Sequence, residues 1–159
     1  MMKKQILMHL DEIMPLVRES LSVGQSIRIF PHGTSMLPMI REGVDSVVLS
    51  KIETPKKYDV ILYQRKNGQY VLHRLVKLGE TYTFLGDNQF CLEHGIERDQ
   101  MIAYVSSFYR GDREVSVQKA SYKLYCRLWY GSRGIRSFWR RGIGWMRRNL
   151  KNKRKKGFL

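Results

Sequence analysis

A succession of short β-prone segments, most of them separated by turn signals, constrains the fold of this chain more than any other feature. The segments are rich in valine, isoleucine, tyrosine and phenylalanine and lie between residues 25 and 118. Such segments, with glycine, proline, asparagine or aspartate between them, are typical of a mostly β domain. A length of 159 residues favours a single domain. The predicted strands are Ile27–Phe30, Ser46–Lys51, Asp59–Arg65, Tyr70–Lys77, Thr81–Leu85, Met101–Tyr109 and Glu114–Val117.

The pair Asn67–Gly68 predicts the best-defined hairpin of this sheet. Asparagine followed by glycine fits the left-handed positions of a type I′ turn, whose twist matches that of the two strands. With that turn, Leu62 pairs with His73, and His73 shares its face of the sheet with Val71 and Leu75. Apolar neighbours of this kind favour a neutral imidazole, the form that can act as a base.

The N-terminal segment, residues 1–24, is predicted to be helical. Apolar residues recur at helical spacing from Ile6 to Leu21, and Pro15 interrupts the pattern, so we expect a kinked helix or two short ones. No apolar run approaches the ~18 residues of a membrane span, and no secretory signal peptide is recognisable. Cys91 and Cys126 are too few for a disulfide scaffold, and we expect reduced thiols of an intracellular protein.

The C-terminal tail, residues 119–159, carries most of the net charge of +15. From residue 115 onward there are 14 lysines and arginines and no acidic residue. On a helical wheel, residues 135–150 separate into an apolar face and a basic face. The tail could lie on an anionic membrane, which is the preferred interpretation, bind nucleic acid, or pack on the β domain. The residues expected to contact a membrane are Phe138, Trp139, Trp145, Arg140, Arg141, Arg147 and Arg148.

Three polar residues of the β region could form a proteolytic site. Ser35 lies in the loop Gly33-Thr34-Ser35-Met36-Leu37-Pro38, and a serine needs a neighbouring base to become a nucleophile. His73 follows 38 residues later on a predicted strand and could be that base. Asp87, in the segment Leu85-Gly86-Asp87-Asn88, could orient the imidazole as the third member of a triad does, or support the local fold. Taken alone, each motif also has an ordinary structural explanation.

Taken together, the three motifs resemble the superfamily of signal peptidase I and the self-cleaving repressor peptidases. The resemblance covers about residues 25–106 and implies a signal-peptidase-like β-barrel or ribbon fold. On this resemblance Ser35 matches the nucleophile, and His73 stands where most members have lysine. Histidine there is similar to the endoplasmic-reticulum and archaeal branch. Asp87 matches the first acid of the family, and Glu93 lies near the position of a second acid.

The chain also departs from that family beside the nucleophile. Gly33 stands where some members have a hydroxyl that donates to the oxyanion, so the amide of Ser35, with Thr34, would have to do more. Met36 and Pro38 match residues that shape the loop near the nucleophile. The membrane anchor typical of signal peptidases is not recognisable, and a stand-alone, anchorless variant is therefore expected.

The resemblance implies a serine endopeptidase that cleaves a leader or signal-like peptide at the cytoplasmic face of the membrane. The alternative is a catalytically silent module of the same fold that binds peptide, membrane or nucleic acid. No metal-ligand spacing repeats and no phosphate or dinucleotide glycine motif occurs, so neither a metal nor a cofactor is expected. The expected organisation is a helical segment over residues 1–24, a peptidase-like β domain over 25–118 and a basic amphipathic tail over 119–159.

Overall fold

A computed structural model of the chain describes residues 10–139. Over this range the protein is a mostly antiparallel β structure with helices at both ends, as the sequence predicts. Helix α1 (Leu10–Ser22) precedes the sheet, helix α2 (Ala120–Gly131) follows it, and residues 133–139 are also helical. The strands are β1 (Ile27–Ile29), β2 (Asp45–Ser50), β3 (Val60–Gln64), β4 (Tyr70–Lys77), β5 (Tyr82–Leu85), β6 (Glu93–Ile96), β7 (Met101–Arg110) and β8 (Arg113–Ser116).

The strands of residues 10–139 form one sheet in the order β1-β2-β7-β3-β4-β5-β6, with β8 also paired to β7. Strand β7 is the longest, and it pairs with β3 near its start and with β2 and β8 toward its end. Strand β4, which carries His73, pairs with β3 from Tyr70 to Arg74 and with β5 from Arg74 onward.

Apolar side chains bury both faces of this sheet. One cluster joins the sheet to the two helices and to the loop after β1, and it includes Val17 of α1, Met36, and Tyr122 of α2. The second cluster lies around Tyr63 of β3 and Phe84 of β5, the two strands on either side of β4. Since α2 contributes buried residues to the first cluster, the beginning of the basic tail packs on the β domain.

The β3–β4 hairpin differs from the predicted one in its turn. Asn67 is not among the residues with positive φ, whereas Gly68 has a φ of +88°. Arg65 and Gln69 are joined by a backbone hydrogen bond of 2.9 Å, so the loop holds three residues instead of two. A three-residue loop with glycine in the left-handed position is the next most common hairpin form, and here it replaces the predicted type I′ turn.

This difference shifts the pairing of the two strands by one residue. Ile61, and not Leu62, is opposite His73. Since side chains alternate between the faces of a strand, a shift of one residue exchanges the set of neighbours that His73 meets. Ile61 and Tyr63 therefore share its face, together with Val71 and Leu75, and the apolar surroundings expected of His73 remain.

Several further expectations can be compared with the described residues. Helix α1 continues through Pro15 without a break, so the chain does not form two short helices there. Ile6, where the apolar pattern begins, lies outside the described residues. Strand β6 was missed because its sequence, Glu-His-Gly-Ile, lacks a β-prone pattern. Cys91 and Cys126 are free thiols. Between residues 10 and 139 we find no helix that combines the length and the apolar character needed to cross a bilayer.

Candidate active site

The loop that carries Ser35 is anchored by apolar side chains. Met36, Met39 and Ile40 are each 4% exposed and belong to the larger apolar cluster, whereas Ser35 is half-buried. The backbone amide of Ile40 donates to the carbonyl of Met36 over 3.0 Å, which closes a turn directly after the serine. Buried neighbours on one side of Ser35 thus fix the loop while the serine itself stays accessible.

The segment Gly86-Asp87-Asn88 is hydrogen-bonded to the backbone of the loop that carries Ser35. The backbone amide of Asn88 donates to the carbonyl of Ser35 over 2.8 Å, and its side-chain amide donates to the carbonyl of Thr34 over 3.1 Å. A Cβ atom added at Gly86 would lie 2.8 Å from the Ser35 carbonyl oxygen, closer than real contacts allow. Glycine is therefore required at this position for the two loops to approach each other.

His73 is buried on β4 and lines the same cavity as Ser35. Both residues line a cavity of about 190 Å³, together with Met36 and Gln89. His73 is only 2% exposed, and its Nδ1 atom lies 3.2 Å from the Tyr63 hydroxyl oxygen. The two residues that the sequence singled out thus line one cavity. The contact with Tyr63 uses Nδ1 of the ring and leaves Nε2 for other contacts.

Burial sets the protonation state of His73. Burial lowers the pKa of His73 to about 4, and the opposing charge of Glu93 does not compensate for it. The Glu93 carboxylate lies 3.6 Å from Nδ1. Burial of Glu93 opposes ionisation of its carboxyl group, but hydrogen bonds from Arg65 and Tyr63 hold the pKa of Glu93 below its ordinary value. At neutral pH the imidazole is therefore neutral, as a general base must be.

Acid is expected to destabilise the fold through His73. The folded-state pKa of about 4 lies below the unfolded value, so the stability that His73 contributes is present above about pH 6.5 and is lost as pH falls toward 4. Between these limits the free energy of unfolding should fall by about 3 kcal/mol from this group. Urea unfolding of the wild type and of His73→Gln at pH 7, 5.5 and 4 measures the difference.

His94→Gln is the matched control for this experiment, because His94 is exposed on β6. Its pH dependence should equal that of the wild type. A His73→Gln protein that loses as much stability on acidification as the wild type would show that His73 does not titrate as the geometry requires.

Asp87 forms an ion pair with Arg74, the residue after His73. Arg74 Nε donates to Asp87 Oδ1 over 2.8 Å and Arg74 Nη2 donates to Oδ2 over 2.6 Å. Both side chains are almost fully buried. Among the described residues there is no hydrogen bond between the Asp87 carboxylate and the imidazole, and the acid that lies beside His73 is Glu93. The role of orienting His73 therefore does not fit Asp87, which instead ties β4 to the loop that supports Ser35.

Helix α2 closes the other side of this ion pair. Arg74 Nη1 donates to the Tyr122 hydroxyl over 3.1 Å and lies 3.0 Å from the sulfur of Cys126. The Trp129 indole donates to the carbonyl of Asp87 over 2.9 Å. Helix α2, which belongs to the basic tail, thus contacts both Arg74 and Asp87. The charge pattern of the tail alone did not indicate these contacts.

The remaining predicted site residues lie around this centre with different exposures. Thr34 and Pro38 are exposed, and Met36 is buried beneath the loop. Phe138 and Trp139 are 76% and 67% exposed in the helical segment 133–139. The other residues expected to contact a membrane lie outside the described residues, and they are Arg140, Arg141, Trp145, Arg147 and Arg148.

Sequence reasoning missed three residues of this site: Tyr63, Arg65 and Arg74. Arg74 is adjacent to His73 in the same predicted strand, and a charged residue in a strand that is otherwise apolar was the available signal for it. Tyr63 could have been found only with the correct hairpin register. Comparison of the chain with protein-family models, with curated proteins and with solved structures gives no match.

Proposed function

We propose that this chain is a serine endopeptidase, similar to the signal peptidase I superfamily, that cleaves a leader or signal-like peptide. The observation that carries the proposal is that Ser35 and a buried, neutral His73 line one cavity. A serine and a neutral base in one cleft are the minimum that nucleophilic acyl transfer requires. The order of the motifs along the chain supports the family resemblance.

The chemistry follows from the roles of these two side chains. The Ser35 hydroxyl oxygen attacks the scissile carbonyl carbon as His73 takes the hydroxyl proton. The resulting tetrahedral intermediate collapses to an acyl-enzyme, and His73 gives the proton to the departing amine. A water molecule then gives a proton to His73 and attacks the acyl carbonyl carbon. The ester bond to Ser35 breaks, the serine oxygen takes the proton back from His73, and the new carboxylic acid is released. Gly33 supplies no side-chain donor to the oxyanion, and the loss of one donor costs roughly 10²–10³ in rate, so we expect slow turnover.

The edge of β4 suggests how a peptide would be held. Pairing of β4 with β5 begins at Arg74, and the cavity is lined by the residues of β4 before it, including Tyr70 and Leu72. Within the described strands, this part of β4 pairs with β3 alone. An extended peptide could therefore add to this edge through backbone hydrogen bonds, with its scissile bond beside Ser35.

Incubation of the full-length chain with a library of leader-like peptides, read by mass spectrometry, tests the proposal. Cleavage at defined bonds that is absent with Ser35→Ala supports a serine endopeptidase. Cleavage that is unchanged in Ser35→Ala overturns the serine mechanism, and specific peptide binding with no cleavage at any pH favours the catalytically silent module.

Membrane association is proposed from the exposed apolar residues near the end of the described chain. Ile135, Phe138 and Trp139 are each at least 67% exposed, and the chain from residue 115 onward has 14 basic residues and no acid. Apolar anchors beside basic residues fit an anionic lipid surface. We therefore place the peptidase at the inner face of the plasma membrane.

Vesicle co-sedimentation of the full chain tests this placement. Binding to phosphatidylglycerol vesicles should weaken roughly tenfold or more in Phe138→Ser/Trp139→Ser, because each buried aromatic side chain is worth about 1.5–3 kcal/mol. Leu16→Ser, at another exposed apolar residue, is the control and should bind as the wild type does. DNA binding without vesicle binding would contradict the proposal and favour a nucleic-acid partner.

A further inference from the structure

A chain of polar contacts runs from His73 through Tyr63 and Glu93 to Arg65. His73 Nδ1 lies 3.2 Å from the Tyr63 hydroxyl oxygen, and that hydroxyl donates to Glu93 Oε2 over 2.8 Å. Arg65 in turn donates to both oxygens of Glu93, from Nε over 2.5 Å and from Nη2 over 2.7 Å. The imidazole is thus connected to an ion pair through one phenol.

The direction of the protons in this chain follows from the chemistry of its members. Glu93 is ionised at neutral pH, since its hydrogen bonds hold its pKa below the ordinary value despite burial. A carboxylate only accepts hydrogen bonds, so the single Tyr63 proton is directed to Glu93. Burial, with the hydrogen bond to Glu93, raises the pKa of Tyr63 well above its ordinary value, and the phenol keeps that proton.

The Tyr63 oxygen can then serve His73 only as an acceptor. An acceptor 3.2 Å from Nδ1 requires a proton on Nδ1. A neutral imidazole has one N–H, so Nε2 keeps its lone pair. We propose that Tyr63 is a positioning residue that fixes His73 in the Nδ1–H tautomer, so that Nε2 is the atom that takes the proton of Ser35. This inference rests on the proposed peptidase function for its catalytic consequence.

The geometry explains why a tyrosine is inserted where a triad has a carboxylate. Glu93 Oε2 lies 3.6 Å from Nδ1, beyond a direct hydrogen bond. Tyr63 is fully buried, and its ring stacks on Phe84 at a centroid distance of 4.5 Å, which fixes the hydroxyl. The carboxylate stays near the surface with Arg65, where its charge is neutralised, and a neutral group contacts the buried imidazole. The hydrogen-bond partner of the ring is thus the neutral phenol and not the carboxylate.

Nitrogen-15 NMR of the histidine side chains in the full-length protein tests the tautomer directly, without a substrate. At pH 7 we expect the wild type to show His73 with a protonated Nδ1 and an unprotonated Nε2. In Tyr63→Phe, which keeps the ring packing, we expect the Nε2–H form to appear. For peptide cleavage, kcat should fall by about 10–100-fold with KM within about twofold, the range found when the hydrogen-bond partner of a metal-bound histidine is removed.

Tyr104→Phe is the matched control, because Tyr104 is a half-buried tyrosine packed against the same apolar cluster. It should leave the His73 signals and kcat unchanged. An Nε2–H tautomer in the wild type would overturn the proposal, even if Tyr63→Phe failed to fold. So would an unchanged tautomer and kcat in a folded Tyr63→Phe. Failure of the peptidase function shows separately, as cleavage that survives Ser35→Ala while the tautomer is as expected.

Discussion

Replacement of Ser35 by alanine is expected to lower kcat/KM for leader-peptide cleavage by at least about a thousandfold, because the acyl-enzyme of the proposed mechanism forms on the Ser35 hydroxyl oxygen. His73→Ala should cost a similar factor, since the hydroxyl then keeps its proton. The two residues act as one unit, so the double variant should be no slower than either single variant. Steady-state kinetics on one peptide from the library measures all three proteins.

Two surface substitutions serve as controls for this experiment. Ser26→Ala and His94→Ala remove the same groups from exposed positions outside the cavity, and both should retain wild-type kcat/KM. His32 adds a separate check, because it lines the cavity but is exposed and paired with Glu42. A loss in His32→Ala equal to that in His73→Ala would contradict the assignment of the base, and losses that multiply in the double variant would contradict a shared step.

Most of the sheet could be predicted because strand signals are local. Each predicted segment overlaps an observed strand, with ends that differ by at most one residue, and Tyr70–Lys77 agrees at both ends. Strand β6 escaped because its pairing with β5 compensates for a sequence with weak β propensity, which tertiary contacts commonly override. The sheet order itself depends on contacts between distant segments, and nothing in the local pattern indicates that β7 lies between β2 and β3.

The two main residues of the candidate site could be selected from the sequence, but the side chains that contact them could not. Ser35 and His73 could be selected by residue type and spacing. The partner of His73 depends on whether the hairpin loop has two or three residues, and the local signal at Asn67–Gly68 favours the wrong one of these forms. A one-residue error in register was enough to conceal Tyr63. The pairing of Asp87 with Arg74 likewise joins two motifs that sequence reasoning treated separately.

That pairing predicts a large effect on folding. Asp87→Ala should lower the free energy of unfolding by about 3–5 kcal/mol, because it leaves the Arg74 guanidinium buried without its counter-charge. Urea unfolding followed by circular dichroism measures the loss. By contrast, Glu93→Gln, at a partly exposed ion pair, should cost no more than about 1 kcal/mol. Its effect should appear in kcat, through Tyr63 and His73.

The two acids can thus be separated by which quantity each substitution changes. If the ion pair acts as a unit, Arg74→Met/Asp87→Ala should be more stable than Asp87→Ala alone, because the uncompensated charge is gone. An Asp87→Ala protein with wild-type stability and strongly reduced kcat would contradict this and return Asp87 to the role of the acid that orients His73. A folding defect in Asp87→Ala that the double variant relieves would show that the acid of the Gly-Asp-Asn motif stabilises the fold around the cavity through its ion pair with Arg74.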